Sequence, residues 1–186
     1  MAKLIYSAIA SLDGYIADAD GVFDWAAPDE EVHAFLNETE RSIGMFLLGR
    51  RMYEVLMYWE TVPVDAGPAV SRDFARMWQS ADKIVYSRTR TAGPSERTRF
   101  EPEFDVDAVR RLKQSAEHDL SVGGANLAAQ ALAAGLVDEL HLYLNPIVVG
   151  GGTAALPSDV RIGLDLLDER RFAAGAVYLR YTCRNP

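Results

Sequence analysis

A pair of adjacent glycines, Gly123-Gly124, is the feature of this sequence with the clearest chemical use. An apolar run at residues 120–122 precedes the pair, and Leu127 and Ala131 follow it at helical spacing until Gly135. Two glycines between a strand and a helix allow close approach of the backbone, and the helix start offers free N–H groups at its positive end. The pattern predicts a phosphate site, although a glycine pair also suits an ordinary tight turn.

Two further turns could hold phosphate through arginine. Gly49-Arg50-Arg51 follows one apolar run, and Ser87-Arg88-Thr89 follows another. A planar guanidinium binds phosphate through two parallel hydrogen bonds and stays charged. Because the carboxyl ends of parallel strands meet at one edge of an open α/β sheet, these two turns and the glycine pair are predicted to converge on a dinucleotide or a similar phosphorylated ligand.

Carboxylates follow a tryptophan in the segment Trp25-Ala26-Ala27-Pro28-Asp29-Glu30. The segment is predicted to open a helix, because Pro28 fits a first turn and acidic side chains favour the positive end of a helix. Two uses of Asp29 and Glu30 stay open from the residues alone. They stabilise the helix start, or one of them contacts a ligand.

The elements that must position these groups follow from hydrophobic periodicity. Strands are predicted at residues 3–10, 42–48, 83–87, 120–122, 140–144, 162–167 and 176–182, with a short edge strand at 98–100. Helices are predicted to begin in the segment 25–30 and at Gly49, and to span 70–80 and 106–116, with a further one after Gly124. The helix after Gly49 is predicted to continue as far as Trp59, with Met52, Val55, Leu56 and Trp59 on one face. Strands separated by helices predict an α/β fold with a parallel central sheet, and the last two strands should pair antiparallel.

Composition narrows the class of protein. A length of 186 residues predicts a single domain over residues 1–186, and a net charge of −8 disfavours a nucleic-acid binder. No apolar run approaches the roughly 20 residues of a membrane helix, and the start of the chain turns polar too early for a signal peptide, so a cytoplasmic location is expected.

Metal chemistry finds no support in the residue pattern. Cys183 is the single cysteine, and His33, His118 and His141 are scattered along the chain. The acidic turn at residues 18–21 does not continue as a calcium loop, because Val22 and Phe23 stand where a ligand and a glycine are needed. The run Gly150-x-Gly152 is predicted to be a loop near the cofactor rather than a complete dinucleotide fingerprint, since Pro157 follows closely.

Five segments, in this order and spacing, carry a resemblance: SLDGYIA, LLGRRMYEV, KIVYSRT, VGGANLAAQAL and LVDELHLYLNPIVVGGG. With them the chain resembles the dihydrofolate reductase-like superfamily. Within that superfamily it resembles stand-alone relatives of the C-terminal reductase domain of the bifunctional riboflavin-biosynthesis deaminase/reductase. The resemblance implies a three-layer α/β fold with a central mixed sheet of about eight strands and flanking helices, NADPH as cofactor, and a homodimer.

The resemblance also implies roles for individual residues. Gly49 and Arg50, with Arg51 beside them, resemble the turn that holds the adenosine phosphates, and Ser87 and Arg88 resemble the pair near the 2′-phosphate. The pyrophosphate turn would be formed by Gly123, Gly124, Ala125, Asn126 and Leu127. Which of the arginines meets the 2′-phosphate stays open.

On the substrate side, Ile16 and Ala17 resemble the backbone beside the nicotinamide. Trp25 and Glu30 resemble the tryptophan and the catalytic carboxylate of dihydrofolate reductases, and a slip of one residue would choose Asp29 instead. Asp13, in the SLDG turn, is a second candidate for substrate contact, although it also suits a plain turn.

The expected function is that of an NADPH-dependent reductase. It would transfer a hydride to a C=N or C=O bond of a small pterin-like or pyrimidine-like molecule. One alternative is reduction of 5-amino-6-(5-phosphoribosylamino)uracil in riboflavin biosynthesis, which needs a basic pocket that the sequence does not reveal. Another is an NADPH-binding module without turnover.

Overall fold

The computed structural model describes residues 1–184. Its strands are β1 (Leu4–Ser11), β2 (Tyr15–Ala17), β3 (Ile43–Gly49), β4 (Asp82–Tyr86), β5 (Thr98–Glu101), β6 (Asp119–Gly123), β7 (Glu139–Asn145), β8 (Thr153–Ala154), β9 (Gly163–Arg171) and β10 (Val177–Arg184). Its α-helices are α1 (Glu30–Thr39), α2 (Arg50–Leu56), α3 (Ala69–Ser80), α4 (Val106–Ser115) and α5 (Ala125–Ala133). Two 3₁₀ segments occupy Asp24–Ala26 and Met57–Glu60. No helix within residues 1–184 is both long enough and apolar enough to cross a bilayer.

Eight strands form one mixed sheet in the order β5-β4-β3-β6-β1-β7-β10-β9. The six strands from β5 to β7 are parallel, and β10 runs antiparallel to both β7 and β9. Strands β2 and β8 form a separate small antiparallel ribbon. The mixed sheet with a parallel centre and antiparallel C-terminal strands confirms the fold predicted from the sequence.

Alternating residues of the central strands build two cores, one on each face of the sheet. On one face, Ile5 and Phe46 lie in a cluster with Trp78 of α3. On the other face, Tyr6 and Leu47 belong to a cluster that includes Ala128 of α5. Because successive side chains of a strand point to opposite faces, an almost wholly apolar strand such as β1 must be covered on both sides, and three layers result.

The segment from Trp25 to Glu30 departs from the prediction. Trp25 lies in a 3₁₀ turn of its own, and α1 begins only at Glu30, with Asp29 as its N-cap residue. Pro28 therefore precedes the helix instead of entering its first turn. The Asp29 carboxylate accepts the N–H of Val32 at 2.8 Å, and this bond sets the start of the helix after the proline.

The helix after Gly49 is also shorter than predicted. α2 ends at Leu56 and passes into the 3₁₀ segment Met57–Glu60, so its apolar face is rotated from the expected one. Tyr53 is the fully buried residue of α2, whereas Val55, predicted to face inward, is 47% exposed. At the C-terminal end, β9 and β10 each extend beyond the predicted strands, and the two-residue strand β8 was predicted as loop.

Candidate functional site

The three predicted phosphate turns lie next to one another. They follow β4, β3 and β6, which are neighbours in the sheet, and the registers pair Gly49 with Tyr86 and Leu48 with Gly123. The backbones of two of the turns are close: a Cβ added to Gly124 would lie 3.8 Å from the backbone nitrogen of Gly49. The carboxyl ends of these three strands therefore lie side by side, as the sequence predicted.

The glycine pair is required by the local backbone. Gly124 has a φ of +95°, which side-chain-bearing residues rarely adopt, and a Cβ on Gly123 would lie 2.7 Å from Cδ2 of Leu48. Gly124 is the N-cap of α5, and the first bond of the helix runs from the N–H of Ala128 to the carbonyl oxygen of Gly124 at 2.9 Å. The preceding N–H groups, from Ala125 to Leu127, are the ones that a helix start leaves without intrahelical acceptors. An anion can be held there by backbone groups alone.

Arginines on α2 and on the loop after β4 share one carboxylate. Nη1 of Arg50 lies 3.1 Å from Oε1 of Glu54, and Nη1 of Arg90 lies 3.9 Å from the same oxygen. The Arg90 guanidinium also lies 5.5 Å from the centroid of the Tyr53 ring, where a cation is attracted to the aromatic face. Two positive groups are thus held beside the strand-end turns.

The sequence singled out Arg88 and not Arg90, and the two arginines have different surroundings. The Ser87 hydroxyl accepts the N–H of Arg90 at 2.9 Å, which turns the chain so that Arg90 packs inward. Arg88 points out, with its side chain 79% exposed and paired at 3.1 Å with Glu103. Arg51 is exposed as well. A serine three residues before an arginine is the sequence signal that could have drawn attention to Arg90.

Asp13 anchors a loop. Its two carboxylate oxygens accept the N–H groups of Val149 at 3.1 Å and Gly150 at 2.8 Å. A hydrogen bond to Ser11, together with these backbone bonds, outweighs desolvation and lowers the pKa of Asp13. These contacts link the SLDG turn to residues 146–152, more than a hundred positions away in the chain.

Ile16 and Ala17 lie in β2, which is packed against the same loop. β2 pairs with β8, and the close approach continues at Gly152, where a Cβ would collide with the backbone of Ala17 and Asp18. The SLDG turn, β2 and the glycine loop therefore form one structure at the carboxyl end of β1. The sequence predicted that the glycine loop lies near a cofactor but did not reveal that Asp13 and β2 hold it.

The three residues matched to the substrate side have different surroundings. Trp25 is partly buried, and its indole N–H is buried without an acceptor among the described residues, while its carbonyl oxygen accepts the Asn145 side chain at 3.4 Å. The Asp29 carboxylate is engaged in capping α1. Glu30, the first residue of α1, is exposed and forms no side-chain hydrogen bond or ion pair with another residue in the range 1–184. Glu30 is thus the carboxylate of this pair that is available to a ligand.

A cavity of about 320 Å³ lies at the opposite end of the parallel strands, where the strands begin. Its buried carboxylate, Glu139, accepts Lys3 at 2.6 Å, Arg180 at 2.8 Å and His141 at 3.2 Å. Burial raises the pKa of Glu139, but these hydrogen bonds outweigh burial and lower it to about 2. Protein side chains supply all of these hydrogen bonds to Glu139. We therefore interpret the charged groups around the cavity as a structural ion cluster and not as a ligand site.

The sheet order and the helices on both faces define a dihydrofolate reductase-like fold. Dihydrofolate reductase from Enterococcus faecalis, solved in complex with NADP(H), aligns with a TM-score of 0.64 and 14% identity over 97% of this chain and 96% of that chain. RibD from Acinetobacter baumannii aligns with a TM-score of 0.74 and 15% identity, over 99% of this chain and 58% of that one.

Sequence comparison identifies the family. The family model described as RibD C-terminal domain matches residues 2–178. The uncharacterized protein YyaP of Bacillus subtilis (strain 168) is 30% identical over 184 residues, which cover 96% of this chain and 94% of that protein. The chain belongs to the RibD C-terminal domain family.

Proposed function

We propose that this protein is an NADPH-dependent reductase acting on a small heterocyclic substrate. The observation that carries the proposal is the convergence of the turns after β3, β4 and β6, which supports binding of one extended phosphorylated ligand. Membership of the RibD C-terminal domain family and the fold shared with dihydrofolate reductase support the same assignment.

The residues present fit such a cofactor. Gly123 and Gly124 let β6 pack closely on Leu48 and Met52, and the N–H groups of Ala125, Asn126 and Leu127 at the start of α5 would donate to a pyrophosphate. Leu127 is buried by its side chain, so only its backbone N–H would take part. The turn at Gly49 and the turn at Ser87 would flank the adenosine end.

We assign the 2′-phosphate to Arg50 and Arg90. Their guanidinium groups lie 3.1 Å and 3.9 Å from the same oxygen of Glu54, so both could bind one phosphate once Glu54 turns away. Arg88 is directed away from this pair towards Glu103. Arg51 and Arg88 remain candidates for outer contacts to the phosphates, since both are exposed on the same edge.

On the substrate side we assign Ile16 and Ala17 to the backbone beside the nicotinamide, with Asp13 as the residue that holds the neighbouring loop in place. A bound nicotinamide would supply the hydride. Glu30 is our candidate for delivering a proton to the substrate, directly or through water, because its carboxylate is exposed and uncommitted. Trp25, which is partly buried, would supply a wall of the substrate site.

Binding of NADPH tests the proposal. We expect NADPH to quench the fluorescence of the three tryptophans with a dissociation constant well below millimolar, and NADH to bind more weakly. The absence of NADPH binding at millimolar concentration would remove the cofactor from this account. Binding without consumption of NADPH across dihydropterin and pyrimidine substrates would instead favour a cofactor-binding module.

Reduction of 5-amino-6-(5-phosphoribosylamino)uracil is the second candidate. The observation in its favour is the match of residues 2–178 to the RibD C-terminal domain. That substrate carries a phosphate of its own, so it requires a second anion site in addition to the one for the cofactor. The distribution of charge around the proposed substrate side bears directly on this requirement.

A further inference from the structure

The proposed substrate side lies within two chain segments that contain no basic residue. Residues 4–40 include neither lysine nor arginine, and the same is true of residues 114–160. Acidic residues are frequent in the first of these segments between positions 11 and 31: Asp13, Asp18, Asp20, Asp24, Asp29, Glu30 and Glu31. The chain has 19 basic residues, but none lies in either segment. The aspartates and glutamates of the two segments therefore have no lysine or arginine beside them in the sequence.

The two segments form one continuous surface. The N–H of Leu12 donates to the carbonyl oxygen of Ile147 at 2.8 Å, and the N–H of Ala155 donates to Gly14 at 2.8 Å. The Asn145 side chain reaches the carbonyl oxygen of Trp25 at 3.4 Å. The charge pattern read along the chain is therefore also the pattern in space around the ends of β1 and β7.

Several arginines on neighbouring elements are held by other groups, whereas Arg171, the last residue of β9, is exposed. Arg170 of β9 lies 3.4 Å from Glu31 and stacks on the ring of Phe35. Arg72 and Arg76 of α3 donate to the carbonyl oxygens of Gly67 and Val64 in the loop before α3. Arg50 and Arg90 are held at the cofactor turns by Glu54.

The same surface exposes apolar groups. Leu12 is 64% exposed and Val148 is 66% exposed, and Phe23 and Leu156 are exposed beside them in the chain segments just described. Glu30 is exposed and its side chain has no hydrogen-bond partner among the described residues. A flat ring with an N–H donor would satisfy Glu30 and cover apolar surface.

We infer that the substrate is an uncharged or cationic planar heterocycle that carries neither a phosphate nor a carboxylate. An anionic group on this surface would lose part of its hydration, meet no arginine or lysine of these two segments to replace it, and face several carboxylates. Repulsion between these carboxylates and an anionic ligand would disfavour binding even where the ring of the ligand fits. The inference rests on the proposed function, because it places the substrate next to bound NADPH.

Matched ligand pairs test the inference. After NADPH binding has been established, the protein saturated with NADPH is titrated with 5-amino-6-(ribosylamino)uracil and its 5′-phosphate, and with 6-methyl-7,8-dihydropterin and 7,8-dihydropterin-6-carboxylate. In each pair the uncharged member is expected to bind at least about tenfold more tightly at low ionic strength, and the difference should narrow as salt screens the surface charges. Equal or tighter binding of the anionic members overturns the inference.

Two charge-reversal variants locate the effect. Asp20→Lys adds a positive charge on the acidic surface, and Glu117→Lys makes the same change in net charge just before β6, at the opposite edge of the sheet. Asp20→Lys is expected to reduce the discrimination against the anionic members several-fold, while Glu117→Lys leaves it unchanged. The inference is also overturned if both variants change the discrimination equally. The same holds if the NADPH complex binds none of the four ligands. Failure of NADPH itself to bind would instead refute the proposed function.

Discussion

Arginine position, rather than arginine count, decides which side chains can recognise a 2′-phosphate. Arg50 and Arg90 lie 3.1 Å and 3.9 Å from the same carboxylate oxygen of Glu54, whereas Arg88 pairs with Glu103 in an exposed position. Exposed pairs of this kind contribute little, because water screens both charges. We therefore propose Arg50 and Arg90, which Glu54 holds beside the strand-end turns, as the contacts to a 2′-phosphate, and not Arg88.

Alanine variants of the three arginines test this difference. Arg50→Ala and Arg90→Ala are expected to weaken NADPH binding by about 1–3 kcal/mol each, since each removes hydrogen bonds to a charged group, and to leave NADH almost unchanged. Arg88→Ala should have a smaller effect. Titration of both cofactors measures the difference, and Arg97→Ala, which breaks a pair with Asp82 at the other edge of the sheet, is the control. Equal losses for NADPH and NADH would show that the arginine does not contact the 2′-phosphate.

Glu139 offers a separate prediction about stability and pH. Its pKa is about 2 in the folded protein, below the ordinary value of about 4.3, because the bonds from Arg180, Lys3 and His141 outweigh burial. A carboxylate with a depressed pKa stabilises the fold above its unfolded pKa, and this contribution is lost as the pH falls from about 4.5 to about 2.

Glu139→Gln is accordingly expected to lower the free energy of unfolding at pH 7 by about 2 kcal/mol, a value reduced by the partial exposure of Lys3 and Arg180. The difference from the native sequence should shrink at pH 3. Urea unfolding at both pH values measures it, with Glu117→Gln as an exposed control. A loss that does not depend on pH would mean that packing, not charge, accounts for the role of Glu139.

Individual residues show which part of the site could be read from the sequence. The positions of Arg50 and the glycine pair at strand ends could be predicted from their neighbours in the chain, while their roles in binding stay predictions. The anchoring role of Asp13 could not, since its partners Val149 and Gly150 come from a distant loop. Arg90 was missed for a similar reason: its orientation depends on Ser87 and on the ring of Tyr53, which belongs to another element.

Among the elements, the ribbon of β2 and β8 has the least tolerance for change. Gly152 lies so close to Ala17 that a Cβ would collide with the backbone of Ala17 and Asp18. Gly150 in the same loop also has a positive φ, +77°, but no atom lies within 4 Å of the position of its Cβ. The two glycines therefore separate steric contact from backbone strain.

Gly150→Ala is expected to destabilise the protein by about 1–2 kcal/mol through backbone strain alone, and Gly152→Ala by roughly 3 kcal/mol or more, because the backbone must also move. Only Gly152→Ala should expose the amides of β2 and β8 to hydrogen exchange. Thermal unfolding and exchange measurements compare the variants. Similar losses in both would show that the close packing of Gly152 on Ala17 does not matter.

Whole elements were predictable where one periodicity extends over many residues, as in β1, α3 and α4. The prediction was wrong where a local bond competes with the pattern. The cap formed by Asp29 starts α1 after Pro28, and the 3₁₀ segment Met57–Glu60 ends α2 early and leaves Val55 exposed. The two-residue strand β8 has no periodicity of its own and exists because residues 14–17 lie beside it.

At the scale of the whole molecule, the parallel sense of the central strands could be predicted from the helices between them, and this alone places their carboxyl ends at one edge. The order of the strands could not be derived in the same way. β6 inserts between β3 and β1, and β1 is followed in the sheet by β7 rather than by its neighbour in the chain. This order makes the turns after β4, β3 and β6 adjacent.

The last strand of the sheet, β9, supports our final prediction, which concerns association. β9 is a nine-residue edge strand exposed over most of its length, and its neighbouring residues Leu166 and Leu167 are 52% and 50% exposed. A long edge strand with exposed leucines is a surface that proteins usually cover, and a second copy of this chain would cover it by symmetry.

We therefore expect a homodimer that associates through the hairpin of β9 and β10. Replacing Leu166 and Leu167 together by Glu should shift the dimer to monomer at micromolar concentration, because buried apolar contact is lost and like charges meet across the axis. Light scattering coupled to size-exclusion chromatography measures the mass, and Leu12→Glu, at an exposed leucine outside the hairpin, is the control. A native chain that stays monomeric at high concentration, or a double variant that stays dimeric, would place the edge strand outside any interface. The proposed cofactor turns lie after β3, β4 and β6, on the other side of β1 from this hairpin, so NADPH binding should survive dissociation.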